Sequence, residues 1–236
     1  TFDNAQETFT ARYTHETIAL AFSITEEAIE DNLYDRLASR YTKALARSMA
    51  NTKQVKAANV LNNAFSSSFL GGDGKALCAD DHPTIAGTVK NELSTSADLN
   101  ETSLEQSLID IAALTDERGL KIAARGVKMI IPSELQFTAE RLMKSQGRTA
   151  TADNDINAVV SMGMIPQGYR VNNYLTDTDA FFIITDVPNG LKQFVRSPIK
   201  TAMEGDFDTG NVRYKARERY SFGFSDFRGI FGSPGA

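Results

Sequence analysis

The sequence predicts an α+β fold in which strands from distant parts of the chain share sheets. Three observations carry this expectation. A Thr-, Phe- and Ile-rich extended arm lies near the start, and an amphipathic helix too long for a compact domain of this mass follows it directly. A strongly two-faced strand stands close to the end, and no Pro- or Gly-rich linker separates these parts into independent domains.

The arm runs from Thr8 to Ile24 (TFTARYTHETIALAFSI), where β-branched and aromatic residues mix with polar ones, a composition suited to an exposed strand or hairpin. Glu26, Glu27, Glu30 and Asp31 then place negative charge where the positive end of a helix dipole follows. Beyond them Tyr34, Leu37, Tyr41, Leu45, Met49, Val55, Ala58, Leu61 and Phe65 mostly recur at three- or four-residue steps, with one longer polar gap after Met49. Neither Gly nor Pro interrupts residues 31–65. The spacing therefore predicts one amphipathic helix of about 50 Å, at ~1.5 Å per residue.

Residues 66–100 are rich in Gly, Ser, Asp and Asn and read as loops with short strands near Lys75 to Leu77 and Thr84 to Val89. The next helix is expected to use Thr102 and Glu105 as a capping box, to bury Leu104, Leu108, Ile111 and Thr115, and to stop at Gly119. Lys128 to Ile131 reads as a buried strand, and Pro132 with Ser133 opens a third helix (SELQFTAERLMKS) closed by Gly147. The polar tract from Gln146 to Asn157 reads as a mobile loop, and Phe181 to Val187 as another apolar strand. Near the end, Val212, Tyr214, Ala216, Tyr220, Phe222 and Phe224 alternate with Arg213, Lys215, Arg217, Arg219 and Ser221, with Glu218 breaking the apolar register.

Composition narrows the function classes. Hydrophobic residues at 42% and charged residues at 23% match a folded, water-facing protein and not a disordered chain. The longest apolar runs fall far short of the ~20 residues a membrane-spanning helix needs. Cys78 is the only cysteine, which excludes an intrachain disulfide and a multi-thiolate zinc site and fits a reducing compartment. With 25 basic against 30 acidic residues the net charge is -5, unlike a dedicated nucleic-acid binder. The first residue is Thr, and the expectation is that a segment precedes it.

Chemistry-bearing clusters are sparse. Asp80, Asp81 and His82 could form an acid–base or metal-assisted site, but neither an HExxH motif nor a nucleophile motif accompanies them, and a turn before Pro83 is the simpler reading. The stretch Glu204 to Asn211 (EGDFDTGN) has the opening carboxylates of a calcium loop without its full spacing. Asp153 with Asp155, and Asp177 with Asp179, read as turn residues. Gly71-Gly72-Asp73-Gly74-Lys75 lacks the spacing and the Ser or Thr of a phosphate loop. Arg213, Lys215, Arg217 and Arg219 project to one side of their strand and suit either DNA phosphates or a neighbour's carboxylates, with the protein partner favoured.

Three segments together resemble the major capsid proteins of tailed bacteriophages, whose fold encapsulin compartments share. They are Ile29 to Phe65, Lys128 to Lys144 (KMIIPSELQFTAERLMK) and Met203 to Ala236 (MEGDFDTGNVRYKARERYSFGFSDFRGIFGSPGA). The resemblance implies an extended-loop β arm at 1–30 and a spine helix at 31–65. It further implies a peripheral domain of 31–100 and 191–220, and an axial domain of 101–190 and 221–236. The loop from Gln146 to Asn157 would face a capsomer centre. The turn bearing Asp206 and Asp208 would meet its counterparts where three capsomers join, compensated there by Arg213 or Arg217 of a neighbour or by a cation. One departure is an N-terminal arm that is absent or very short here.

The function so implied is a structural subunit that self-assembles into hexamers and pentamers of an icosahedral head, without enzymatic turnover or cofactor. It would enclose double-stranded DNA without reading its sequence, be assembled in the host cytoplasm, and meet portal, scaffold and in some shells decoration proteins, with no membrane. The alternatives are an encapsulin-like compartment and, from a different class, a small hydrolase using Asp80, Asp81 and His82. Some shells of this fold join a lysine of the extended loop to a neighbour's asparagine. Here the first lysine is Lys43, inside the expected helix, so that cross-link is not expected.

Overall fold

The computed structural model describes residues 9–31, 34–147 and 155–236, with the backbone alone for 34–37. Its contacts divide into two compact units. Among the described residues, one comprises those within 13–57 and 193–223; the other comprises those within 9–12, 58–192 and 224–236. Strands do pass between distant parts of the sequence, and helix and sheet mix as expected.

In the smaller unit β1 (Glu16–Ile24) is followed by the short α1 (Glu26–Glu30) and then by α2 (Tyr34–Asn62), whose last turn belongs to the other unit. β7 (Leu191–Gly205) and β8 (Val212–Phe224) complete a three-stranded sheet of order β1-β8-β7. β1 pairs antiparallel with β8, from Glu16 opposite Tyr220 to Ile24 opposite Val212. α2 lays Leu45 and Met49 on Ala216, with Ile18 and Phe22 alongside. The arm expected at Thr8 to Ile24 is thus a single strand from Glu16 onward, and residues 9–15 carry no regular secondary structure. α2 covers most of the predicted helix, with Leu45 and Met49 facing the sheet and Tyr41 and Val55 exposed.

The larger unit holds the remaining elements: β2 (His82–Thr84), β3 (Gly87–Val89), α3 (Glu101–Ala112), β4 (Gly126–Ile131), α4 (Gln136–Lys144), α5 (Ala158–Ser161), β5 (Tyr169–Val171), β6 (Phe181–Thr185) and β9 (Ile230–Ser233). Its four-stranded sheet has the order β5-β4-β6-β9, with β4 and β5 parallel and the other pairs antiparallel. Leu104, Leu108 and Ile111 of α3 and Ala139 and Leu142 of α4 pack with Met129, Ile131, Phe181, Ile183 and Phe231 in one core. A second core joins Leu61 and Ala64 to Leu77, Cys78, Phe182 and Ile230.

Several expected boundaries move. α3 begins two residues earlier: Asn100 accepts from the Ser103 N–H at 2.9 Å while Ser103 Oγ accepts from the Asn100 N–H at 3.0 Å. Asn is the stronger N-cap, which leaves Thr102 inside the first turn. The helix ends at Ala112, and Gly119 instead takes φ +83° in a turn where Asp116 accepts from the N–H groups of Arg118 and Leu120. Residues 75–77 form no strand; Gly71 N–H donates to Lys75 O at 2.7 Å and closes a turn there. α4 begins at Gln136, beyond the turn that Pro132 and Ser133 open. Most of the loop expected from Gln146 to Asn157, including Asp153, lies outside the described residues; Gly147 and Ile156 bridge at its ends.

The loops of 63–100 are sewn to the C-terminal segment by polar side chains. Asn91 is fully buried, and its amide donates to the carbonyls of Leu77, Phe227 and Ile230 at 2.7–3.1 Å while its oxygen accepts from Ala79 N–H at 2.9 Å. Arg228 donates to Thr115 O at 2.7 Å and to Glu117 at 2.9 Å. At one point backbone meets backbone: a Cβ on Gly229 would stand 2.3 Å from the Gly190 Cα, so neither position admits a side chain.

Burial opposes ionisation of Asp73, but its bond to the His82 ring and the Lys75 N–H outweigh burial and hold the carboxyl below its ordinary 3.8. A lowered folded value contributes stability above the unfolded value, and that contribution is lost as pH falls through the folded one. Acid melts should therefore show a loss of stability below about pH 4 that is weaker in Asp73→Asn, followed by circular dichroism from pH 6 to 2. Equal slopes in the two proteins would exclude this role.

Candidate assembly surface

The sheet of the smaller unit presents two unlike faces. Toward α2, β8 turns Tyr214, Ala216, Glu218 and Tyr220, and the Phe22 ring stacks on Tyr214 at 5.0 Å. Glu218, which interrupts the apolar register in the sequence, is only 4% exposed and accepts from Lys53 of α2 at 3.1 Å. The same ammonium lies 5.0 Å over the Tyr220 ring, and Lys56 pairs with Glu16. A buried carboxylate is tolerable where a cation meets it, and that pairing fixes the register of helix on sheet. Burial, and then the charges of Glu218 and Glu16, push the Tyr220 hydroxyl up from its usual value.

On the opposite face Arg213, Lys215 and Arg217 are exposed and Arg219 is half-buried. β7 is exposed along almost its whole length. Val195, Ile199 and Met203 share one side of it by the two-residue period and are 52–62% exposed, and Phe207 at the following turn is fully exposed. A long edge strand with uncovered apolar side chains is a template for another chain, and lone exposed residues would not form such a row.

The turn after β7 is built around Asp206. Its N–H donates to Asn211 O at 2.8 Å, its carbonyl accepts from Gly210 N–H at 2.9 Å, and its carboxylate takes Thr209 Oγ1 at 2.7 Å and the Arg213 guanidinium. Asp206 and Arg213 thus neutralise each other within one chain, while Asp208 points to solvent. The calcium-loop reading loses its leading carboxylate to this arginine.

The Asp80, Asp81 and His82 group does not converge. Asp80 and Asp81 are exposed and Asp81 pairs with Lys75, whereas His82 is wholly buried in β2 against the Phe227 ring, with centroids 3.8 Å apart. Its Nδ1 faces Asp73 Oδ2 at 2.5 Å and its Nε2 faces Asn91 Oδ1 at 3.1 Å. A ring with no exposed surface has no access to a substrate, so the hydrolase alternative fails, and so does the expected turn at this position. Asp177 and Asp179 lie together, their hydrogen bond followed by burial raising the Asp179 carboxyl above its usual range. Cys78 is buried, which pushes its thiol well up and removes it as a nucleophile. The sequence reading missed the exposed Val195, Ile199 and Met203 of β7, which recur at every fourth residue and give no strict alternation.

A family model described as phage capsid protein matches residues 7–232. The chain belongs to that family. No curated protein matches it. Among solved structures, the capsid of Myoviridae phage XM1 is similar at 10% identity and a TM-score of 0.56, over 95% of this chain and 74% of that one. The capsid of cyanophage P-SCSP1u gives 12% and 0.56 over 100% and 80%. A virus-like particle from Pyrococcus furiosus gives 12% and 0.51 over 92% and 76%. At such identities the likeness is one of fold, and a phage capsid protein of this fold is a structural subunit.

Proposed function

We propose that this capsid protein assembles with its own copies into hexamers and pentamers of an icosahedral head that encloses double-stranded DNA and performs no enzymatic turnover. The observation that supports the reading best is the family match over nearly the whole chain, joined to an uncovered apolar row on β7 that a lone subunit leaves in water. The 1–30 segment serves as the extended loop, with its first eight residues outside the described part, and α2 serves as the spine. The peripheral domain is centred on 31–57 and 191–220, and 101–190 with 221–236 forms the axial domain. The loops of 66–100 pack with the latter unit, so they act as its support. Arg213, Lys215, Arg217, Arg219, Asp206 and Asp208 contribute contacts between subunits. Portal and scaffold proteins are further partners, and assembly takes place in the host cytoplasm before the subunit becomes part of the virion.

Size exclusion followed by electron microscopy of the purified protein tests the reading. Closed shells are expected, and a protein that stays monomeric at every concentration would overturn it. Shells that form around cargo protein and never around DNA would favour the compartment reading. Boiled, detergent-treated particles are expected to run as single chains, because no residue from Thr1 to Thr42 supplies the amine of an isopeptide bond. A ladder of covalent oligomers would contradict this, and mass spectrometry would locate the link.

A further inference from the structure

We propose that the outward face of β1 and β8 is a docking surface for helix α1 of a second copy, with Lys215 and Arg217 meeting Glu27 and Glu30. The inference rests on the assembly reading and names its partner surface. In the antiparallel ladder Ser23, Ala21, Ala19 and Thr17 lie opposite Arg213, Lys215, Arg217 and Arg219, and directly paired residues point to the same side. One row of this face is therefore entirely small and its neighbour entirely basic. The small row is exposed and gives a low floor on which a helix can rest beside the cations.

Arg213 is held by Asp206, but Lys215 and Arg217 make no ion pair among the described residues, and the buried Arg219 Nε has no hydrogen-bond partner there. A row of like charges in a chain of net charge -5 is a local conflict that an opposite charge relieves. The same unit carries that opposite charge elsewhere. Glu27, Glu30 and Asp31 are exposed and without an ion pair among the described residues, while Glu26 lies against Gly210 of its own chain.

Spacing agrees with sign. Residues three apart on a helix stand about 5–6 Å apart. Residues two apart on a strand are separated by about 6.6 Å, a difference that long Lys and Arg side chains absorb. DNA phosphates would satisfy the cations too, but the net charge of -5 disfavours adhesion of the chain to a polyanion. Because the two patches differ, the contact is head-to-tail, the kind that closes into rings of identical subunits.

The test is a charge swap in the full-length protein, read as the concentration at which light scattering reports assembly. Lys215→Glu with Arg217→Glu, and separately Glu27→Lys with Glu30→Lys, should each raise that concentration about tenfold or more. All four together should recover most of the loss, and thermal melts should be unchanged because every site is exposed. Milder Arg217→Gln and Glu27→Gln should raise the threshold less, which keeps the test open if a reversal misfolds. A combined variant no better than its parents, or single variants assembling like wild type, overturns the pairing. So do normal Arg217→Glu shells that only retain less DNA. A wild-type protein that never assembles overturns the assembly reading with it, whereas assembly insensitive to the swap overturns the pairing alone.

Discussion

Ala46→Pro is expected to abolish particles and to cost the fold about 3 kcal/mol or more. Ala46 is an exposed interior position of α2, one residue from buried Leu45 and three from buried Met49. Proline there removes the backbone N–H that donates one turn back, and its ring strikes the Thr42 carbonyl. The resulting kink would lift Leu45 and Met49 from Ala216 and break the alignment of Lys53 with Glu218. Ala46→Ser, which keeps the donor, should assemble normally with a loss under about 1 kcal/mol. Denaturant melts measure the first effect and electron microscopy the second. Normal shells from the proline variant would show that α2 need not be continuous in the assembled state.

What the sequence disclosed follows from how local each signal is. α2 was legible because its apolar positions recur over many turns without Gly or Pro, and β8 because its alternation is strict apart from Glu218. The partner that explains Glu218 is Lys53, 165 residues away, a distance no periodicity spans. β7 was obscured by Pro198, which argues against a central strand yet is admissible on an edge. His82 read as a turn because its neighbours are polar, and its burial depends on Phe227 and Asn91, which the fold brings from elsewhere. The basic row was visible as a candidate contact. The small residues beside it were not, since only the β1–β8 register places Ala19 and Ala21 against Arg217 and Lys215.

Asn91→Leu should destabilise the larger unit by about 3–5 kcal/mol, much of the ~5–15 kcal/mol that holds a typical domain together. The substitution roughly conserves volume, so the loss reports polar satisfaction and not a cavity. It leaves the carbonyls of Leu77, Phe227 and Ile230 without the amide that reaches all three, and Ala79 N–H and His82 Nε2 without their acceptor. Each buried group stranded in this way costs about 1–3 kcal/mol, and partial relaxation keeps the sum below simple addition. The two backbone bonds of Asn91, from its own N–H to Ala79 O and from Gly232 N–H to its carbonyl, remain and limit the damage. Lys121→Gln, an exposed substitution in the same unit, should change stability by less than about 0.5 kcal/mol. Urea melts of the three proteins decide the matter. A cost under about 1 kcal/mol for Asn91→Leu would mean that the stranded groups find other partners, and that Asn91 does not hold the 63–100 loops to the C-terminal strand.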